Sequence, residues 1–305
     1  MAASFSSKAS PNPTYNTRSI SFPARSHPTI RRLEAELIKL ATSCESPSTS
    51  SKSDTICAAI SGLGLVYGCI DNLLSLPQTQ QSLHQYREGR LVNIVLDDLI
   101  MYLDACNVTR DAFLLIKEAI RELQSALRRS KSGPDHAVVS IEDCVASYFA
   151  SRKKVKKMVA KCFALLKQVD KVPRKDHVHA HPLEEASSIT ILVLASLLSF
   201  LSLPVHKPKT TKTRWSLVSR LVMYRGDAAY EGDFNEMASV DFALANLLAS
   251  HSSEEGGGSK AEKVDIAQVK MEALEKSVQA LEAELECLFK GLIQARVSLL
   301  NILSS

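Results

Sequence analysis

Between Val264 and Ile302 apolar residues recur at alternating steps of three and four, through Ala267, Met271, Leu274, Val278, Leu281, Leu285, Leu288, Leu292, Ala295 and Leu299, without a break. A helix of 3.6 residues per turn lays such positions along one side. A pattern sustained over more than five heptads argues for a coiled-coil seam covered along its length by other helices. Leu274, Val278, Leu281, Leu285, Leu288, Leu292 and Leu299 are its candidate contact residues. Spacing alone does not say whose helix covers it. The partner is either the rest of the same chain or another protein, a second copy included.

Composition agrees with helix elsewhere. Aromatic residues make up 6% of the 305 residues, while Leu, Ala, Glu and Lys abound. The first group favours strands and the second favours helices. The expected architecture is all-α: an elongated bundle of long antiparallel helices with a C-terminal coiled-coil-type helix. Its expected parts are a disordered basic tail (1–27), a helical bundle (28–253), a glycine-rich linker (254–259) and the heptad helix (260–303).

Within the bundle, Pro28-Thr29-Ile30 opens a helix to about Ala41, and Asp54 is placed to cap the next. Gly62, Gly64 and Gly68 lie inside that second helix, which marks a close helix approach or a kink. A short helix follows Pro77. Two helices are then predicted, Arg87 to Cys106 and a successor through Ser130 with a seam at Phe113, Ile116, Ile120, Leu123 and Leu127. Ser140-Ile-Glu-Asp143 opens the next helix as a capping-box variant, with apolar positions Val145, Phe149, Val155, Val159, Cys162, Leu166 and Val169. Ile189 to Leu203 is an apolar run of fifteen residues ended by Pro204. That is short of the ~20 a spanning helix needs, so it reads as a buried central helix. Shorter helices are predicted around Trp215 and from Phe234 to Ser250.

Charge is distributed unevenly. Residues 1–225 hold 31 Lys and Arg against 19 Asp and Glu, whereas 226–305 hold 6 against 14. Such halves attract each other, or the basic half meets an acidic partner or a membrane. The densest cluster is Arg152, Lys153, Lys154, Lys156 and Lys157, followed by Lys161. These are the candidate contacts for an anionic partner, a lipid surface among them. No aromatic interleaving accompanies them, so nucleic acid is not an expected partner.

Other chemistry is sparse. The chain has no GxSxG, P-loop, HExxH or GxGxxG motif, and Asp97 and Asp98 are adjacent and so face different ways on a helix. His177, His179 and His181 alternate, but no further ligand set completes a metal site. The reading is of a protein that is not an enzyme and holds no cofactor. Ser130 and Ser132 beside Arg128, Arg129 and Lys131, and Ser216 beside Arg214, are candidate phosphorylation sites. Seven cysteines without a CxxC pair read as reduced thiols. Together with the lack of a secretory signal this places the chain inside the cell, cytoplasmic in the first instance, with plastid and nucleus left open, neither secreted nor membrane-spanning. The basic, serine-rich start resembles a transit peptide in composition, though Pro11, Pro13 and Pro23 would break an amphipathic helix there.

Several segments resemble a plant-specific helical family, domain-of-unknown-function family 241, described as BYPASS-like. They are Arg18-Ser-Ile-Ser-Phe-Pro-Ala-Arg-Ser-His-Pro28, Leu74-Ser-Leu-Pro-Gln-Thr-Gln-Gln81, Asp104-Ala-Cys-Asn-Val-Thr-Arg-Asp111, Glu122-Leu-Gln-Ser-Ala-Leu-Arg-Arg129, Ser151-Arg-Lys-Lys154, Leu197-Leu-Ser-Phe-Leu-Ser202 and Arg214-Trp-Ser-Leu-Val-Ser219. They occur in the family's order from Arg18 onward. The resemblance implies a link to root and shoot development. It implies no enzymatic activity and no catalytic residue. Where some relatives have a basic residue within the apolar run, this chain has Ala195.

Overall fold

A computed structural model describes residues 27–45, 52–85, 90–131, 141–170, 181–202, 235–249 and 260–304. The described residues form eight helices and no strand: α1 (Pro28–Glu45), α2 (Ser53–Leu74), α3 (Pro77–Gln85), α4 (Arg90–Lys131), α5 (Ile141–Asp170), α6 (His181–Leu201), α7 (Glu236–Ala249) and α8 (Lys260–Ser304). The basic tail up to residue 26, the glycine-rich linker, the histidine connector at 177 and 179, and the segment around Trp215 lie outside the described residues, as do Ser132 and Ser216.

α4 and α8 are the two long rods. At 42 and 45 residues they are about 60–70 Å long. α4 is continuous where two helices were expected. Its midpoint, Ala105 to Phe113, contains polar Asn107 and Thr109, which read locally as an interruption. Thr109 is buried and its hydroxyl donates to the Ala105 carbonyl at 2.8 Å, so it is satisfied without leaving the helix.

Three ion pairs set the register of α8 on α4: Arg121–Glu275, Lys117–Glu282 and Arg110–Glu286. Numbers rise on one helix as they fall on the other, so the two are antiparallel. On its other flank α8 packs against α2, where Ser53 meets Ser277 and Ser298 donates to Asp71. There the numbers rise together, so that pair is parallel. α7 covers part of α8 as well, and α5 lies along α4.

All twelve seam positions of α8 are buried, none more than 6% exposed. They belong to one core cluster that also takes in Leu33 and Leu37 of α1, Ile60 and Leu63 of α2, and Phe113, Ile116 and Ile120 of α4. Each fully buried aliphatic contributes about 1.5–3 kcal/mol. The long seam is therefore occupied by helices of its own chain.

The N-terminus of α2 is capped from a distance. Lys52 occupies the cap position without a side-chain bond, and Asp54, the expected cap, lies exposed inside the first turn. Instead Glu236, the first residue of α7, accepts the Ser53 hydroxyl at 2.7 Å and faces the Ser53 backbone N–H. A carboxylate there also opposes the helix dipole favourably. Of the three glycines in α2 only Gly62 serves a close approach: a Cβ there would stand 3.1 Å from Leu40 Cδ1, while Gly64 and Gly68 face open space.

α6 lies among α1, α2, α4 and α5. Its apolar stretch extends beyond the fifteen-residue run. Pro182–Leu201 is a 20-residue helical window of mean hydropathy 1.5, so its length does not exclude a bilayer crossing as the run alone implied. Ser53–Leu74 and Ala261–Ser304 are likewise long and apolar enough by length and composition.

Candidate functional site

α5 presents two faces of opposite character. Its buried positions are Val145, Tyr148, Arg152, Val155, Val159, Cys162, Leu166 and Val169, again at steps of three and four. Tyr148, not Phe149, holds the inward place, and Phe149 packs edge-on against it at the margin.

Arg152 departs from the expectation that it faces an anionic partner. It is 4% exposed and stands in the inward stripe between Tyr148 and Val155. Its Nε and Nη2 donate to the Asp241 carboxylate of α7 at 2.9–3.2 Å, and Nη1 donates to the Leu201 carbonyl at 2.7 Å. The Tyr148 hydroxyl donates to Asp241 Oδ1 at 2.8 Å. Burial and then the neighbouring carboxylate push the Tyr148 phenol well above its ordinary range, so it remains a donor. Nearby, Asn235 donates to the Phe200 carbonyl and accepts from the Ala238 N–H, capping α7. The last carbonyls of α6 and the first turns of α7 are thus joined through one guanidinium and one amide. A guanidinium offers donors in a fixed fork, which is why one residue satisfies a carboxylate and a carbonyl together.

The other face is bare cation. Lys153, Lys154, Lys156, Lys157 and Lys161 are all exposed, and none pairs with a carboxylate among the described residues. The same helix and nearly the same residue numbers therefore supply an internal fastener and an open basic surface.

Elsewhere, α1, α2 and α6 enclose a cleft of about 730 Å³ with Leu40, Ile56, Ala59, Leu192 and Ala195 in its walls and Glu36, Lys39 and Asp54 among its polar residues. Ala195 is itself 1% exposed. A smaller space of about 30 Å³ is lined by Tyr67, Leu99, Tyr102 and Ser187, and the Tyr102 hydroxyl bonds Ser187, whose hydroxyl reaches buried Asp98. That is one water's room.

The described residues contain no group of three or more His, Cys, Asp and Glu that could hold a metal. All seven cysteines are free. Burial raises the Cys106 and Cys162 thiols to about 12 and Cys57 to about 11, so these are inert, protonated thiols. Cys287 alone is exposed. Ser130 falls in the last turns of α4.

The inward role of Arg152 has a sequence signal that residue type conceals. Its steps to Tyr148 and Val155 are four and three, the same as between the aliphatics around it. Its partner Asp241, 89 positions away, has no such signal.

A family model described as Protein BPS1 matches residues 59–302, from the first half of α2 to the last turn of α8. No curated protein and no solved structure matches the chain.

Proposed function

The chain belongs to the BPS1 family, and from that membership we propose a non-catalytic helical interaction protein that acts in root and shoot development and works through the lysine face of α5. Family membership makes it a development-related plant protein. The contact itself is inferred from one observation. Lys153, Lys154, Lys156, Lys157 and Lys161 crowd a single exposed helix face with no carboxylate of the described residues to neutralise them. Uncompensated charge at that density repels itself and is relieved by an anionic partner. The seam of α8 is a poor candidate for that role, because its leucines are already buried on α2, α4 and α7 and exposing them would dismantle the core.

The reading makes the protein a scaffold, held rigid by its long helices and recognised by charge. It is tested in plants lacking the protein. The wild-type chain should restore root and shoot growth, and K153E/K154E/K156E/K157E, at equal abundance and helix content, should not. Full rescue by the reversed variant would remove the lysine face from the function.

A further inference from the structure

One side of α8 carries Glu275, Glu282 and Glu286, and steps of seven, four and three residues continue that side through Ile293, Val297 and Leu300. The two halves of the side are treated differently. Each of the three carboxylates meets a cation on α4. The three aliphatics are left 40%, 43% and 39% exposed. On α4 the edge that presents Arg121, Lys117 and Arg110 continues, one helical repeat earlier, as half-buried Leu103. Exposed Asp97 and Asp104 of α4 lie more than a quarter turn away from that edge.

The charge changes at the same point. α8 has seven Asp and Glu up to Glu286 and none from Cys287 to Ser304, where Lys290 and Arg296 are its charged residues. The helix holds an eighteen-residue window of mean hydropathy 1.2 of which 28% is buried. Arg296 lies at the margin of the stripe, half-buried, with its Nε turned inward.

We propose that this end of α8 rests in the plane of an anionic lipid bilayer. Ile293, Val297 and Leu300 enter the acyl boundary, and Lys290 and Arg296 meet lipid phosphates. An apolar stripe flanked by cations is what such an interface takes up, and the carboxylates beside it, Glu286 against Lys290 and Asp71 against Ser298, are each engaged within the protein. The helix lies in the surface and does not cross it, because Leu288, Leu292, Ala295, Leu299 and Ile302 on its opposite side are committed to the core. This contact is separate from the lysine face and stands or falls without it.

The test is flotation of the full chain with phosphatidylcholine vesicles, with and without phosphatidylserine. The wild type should float with the anionic vesicles and less with the neutral ones. I293S/V297S/L300S, with unchanged helix content and melting temperature, should lose affinity by about tenfold or more. K153E/K154E/K156E/K157E should keep the fraction that resists salt. Equal flotation of the triple-serine variant and the wild type overturns the proposal, as does a wild type that ignores anionic vesicles. Sedimentation velocity without vesicles supplies the remaining outcome. A wild-type dimer that the triple-serine substitution turns into a monomer would mean that a second copy covers the stripe, and would also overturn it.

Discussion

Arg152 and Lys153 are neighbours on one helix with the same charge, and they do opposite things. Arg152 is enclosed, with its donors shared between Asp241 and the end of α6. Lys153 and the four lysines after it stand in solvent. The difference is geometric before it is chemical. A step of one residue turns the side chain by more than a quarter of the helix circumference, enough to carry it from core to water. Chemistry then decides what can survive inside. A buried cation is tolerated only when paired and hydrogen-bonded, and the guanidinium fork meets that condition with one side chain.

Removing one partner of the inner pair should have the largest effect. D241A leaves a buried cation uncompensated and should cost about 3–5 kcal/mol, read as a lower urea midpoint. R152M/D241L, which removes both charges, should recover most of that loss. If it does not, the pair is indispensable in a way its desolvation cost does not explain.

A second test uses alkali. Tyr148 in the same cluster and the enclosed Cys106 and Cys162 all have folded-state values raised above their unfolded ones. Their contribution is complete below the unfolded thiol value and is lost as pH rises from about 9 towards about 12, where the unfolded chain releases protons that the folded one keeps. The loss is on the order of a few kcal/mol. C106A/C162A should flatten that part of the stability–pH curve, measured by urea melts at stepped pH, and a curve of unchanged slope would contradict it.

Y148F probes the inner cluster more gently. It removes one donor to Asp241 and should cost about 1.5–3 kcal/mol, the range for a bond to a charged group. The outer face should barely respond. K153E/K154E/K156E/K157E is expected to change stability by about 0.5 kcal/mol or less in either direction, although it changes net charge greatly. A large destabilisation would show that those lysines have an internal partner.

The sequence made some of this plain and hid the rest, and the division follows residue type. The α8 seam is legible because aliphatic residues at steps of three and four have no other explanation over such a length. Arg152 stands in an equally regular stripe, but a cation among cations reads as surface, and its polarity masks its phase. α4 is one helix where the sequence predicts two: Asn107 and Thr109 are weak helix formers, but burial of Ala105, Cys106, Ala112 and Phe113 on both sides holds the helix through them. Asp54 is the nearest residue able to cap α2, and a local sequence pattern points to it. Glu236 provides the cap from 183 residues away.

Periodicity in the sequence specifies most of the helical segments among the described residues, the length of the last helix, and which of its sides must be covered. Periodicity carries that information because it refers each side chain to its own helix axis. It carries none about the neighbour. That α2, α4 and α7 cover the α8 seam, that Arg152 turns inward to Asp241, and that Ile293, Val297 and Leu300 remain bare where Glu275 to Glu286 are paired were decided by tertiary structure. Those outcomes depend on which helices lie alongside one another and in what register, and contacts between residues distant in the chain set both.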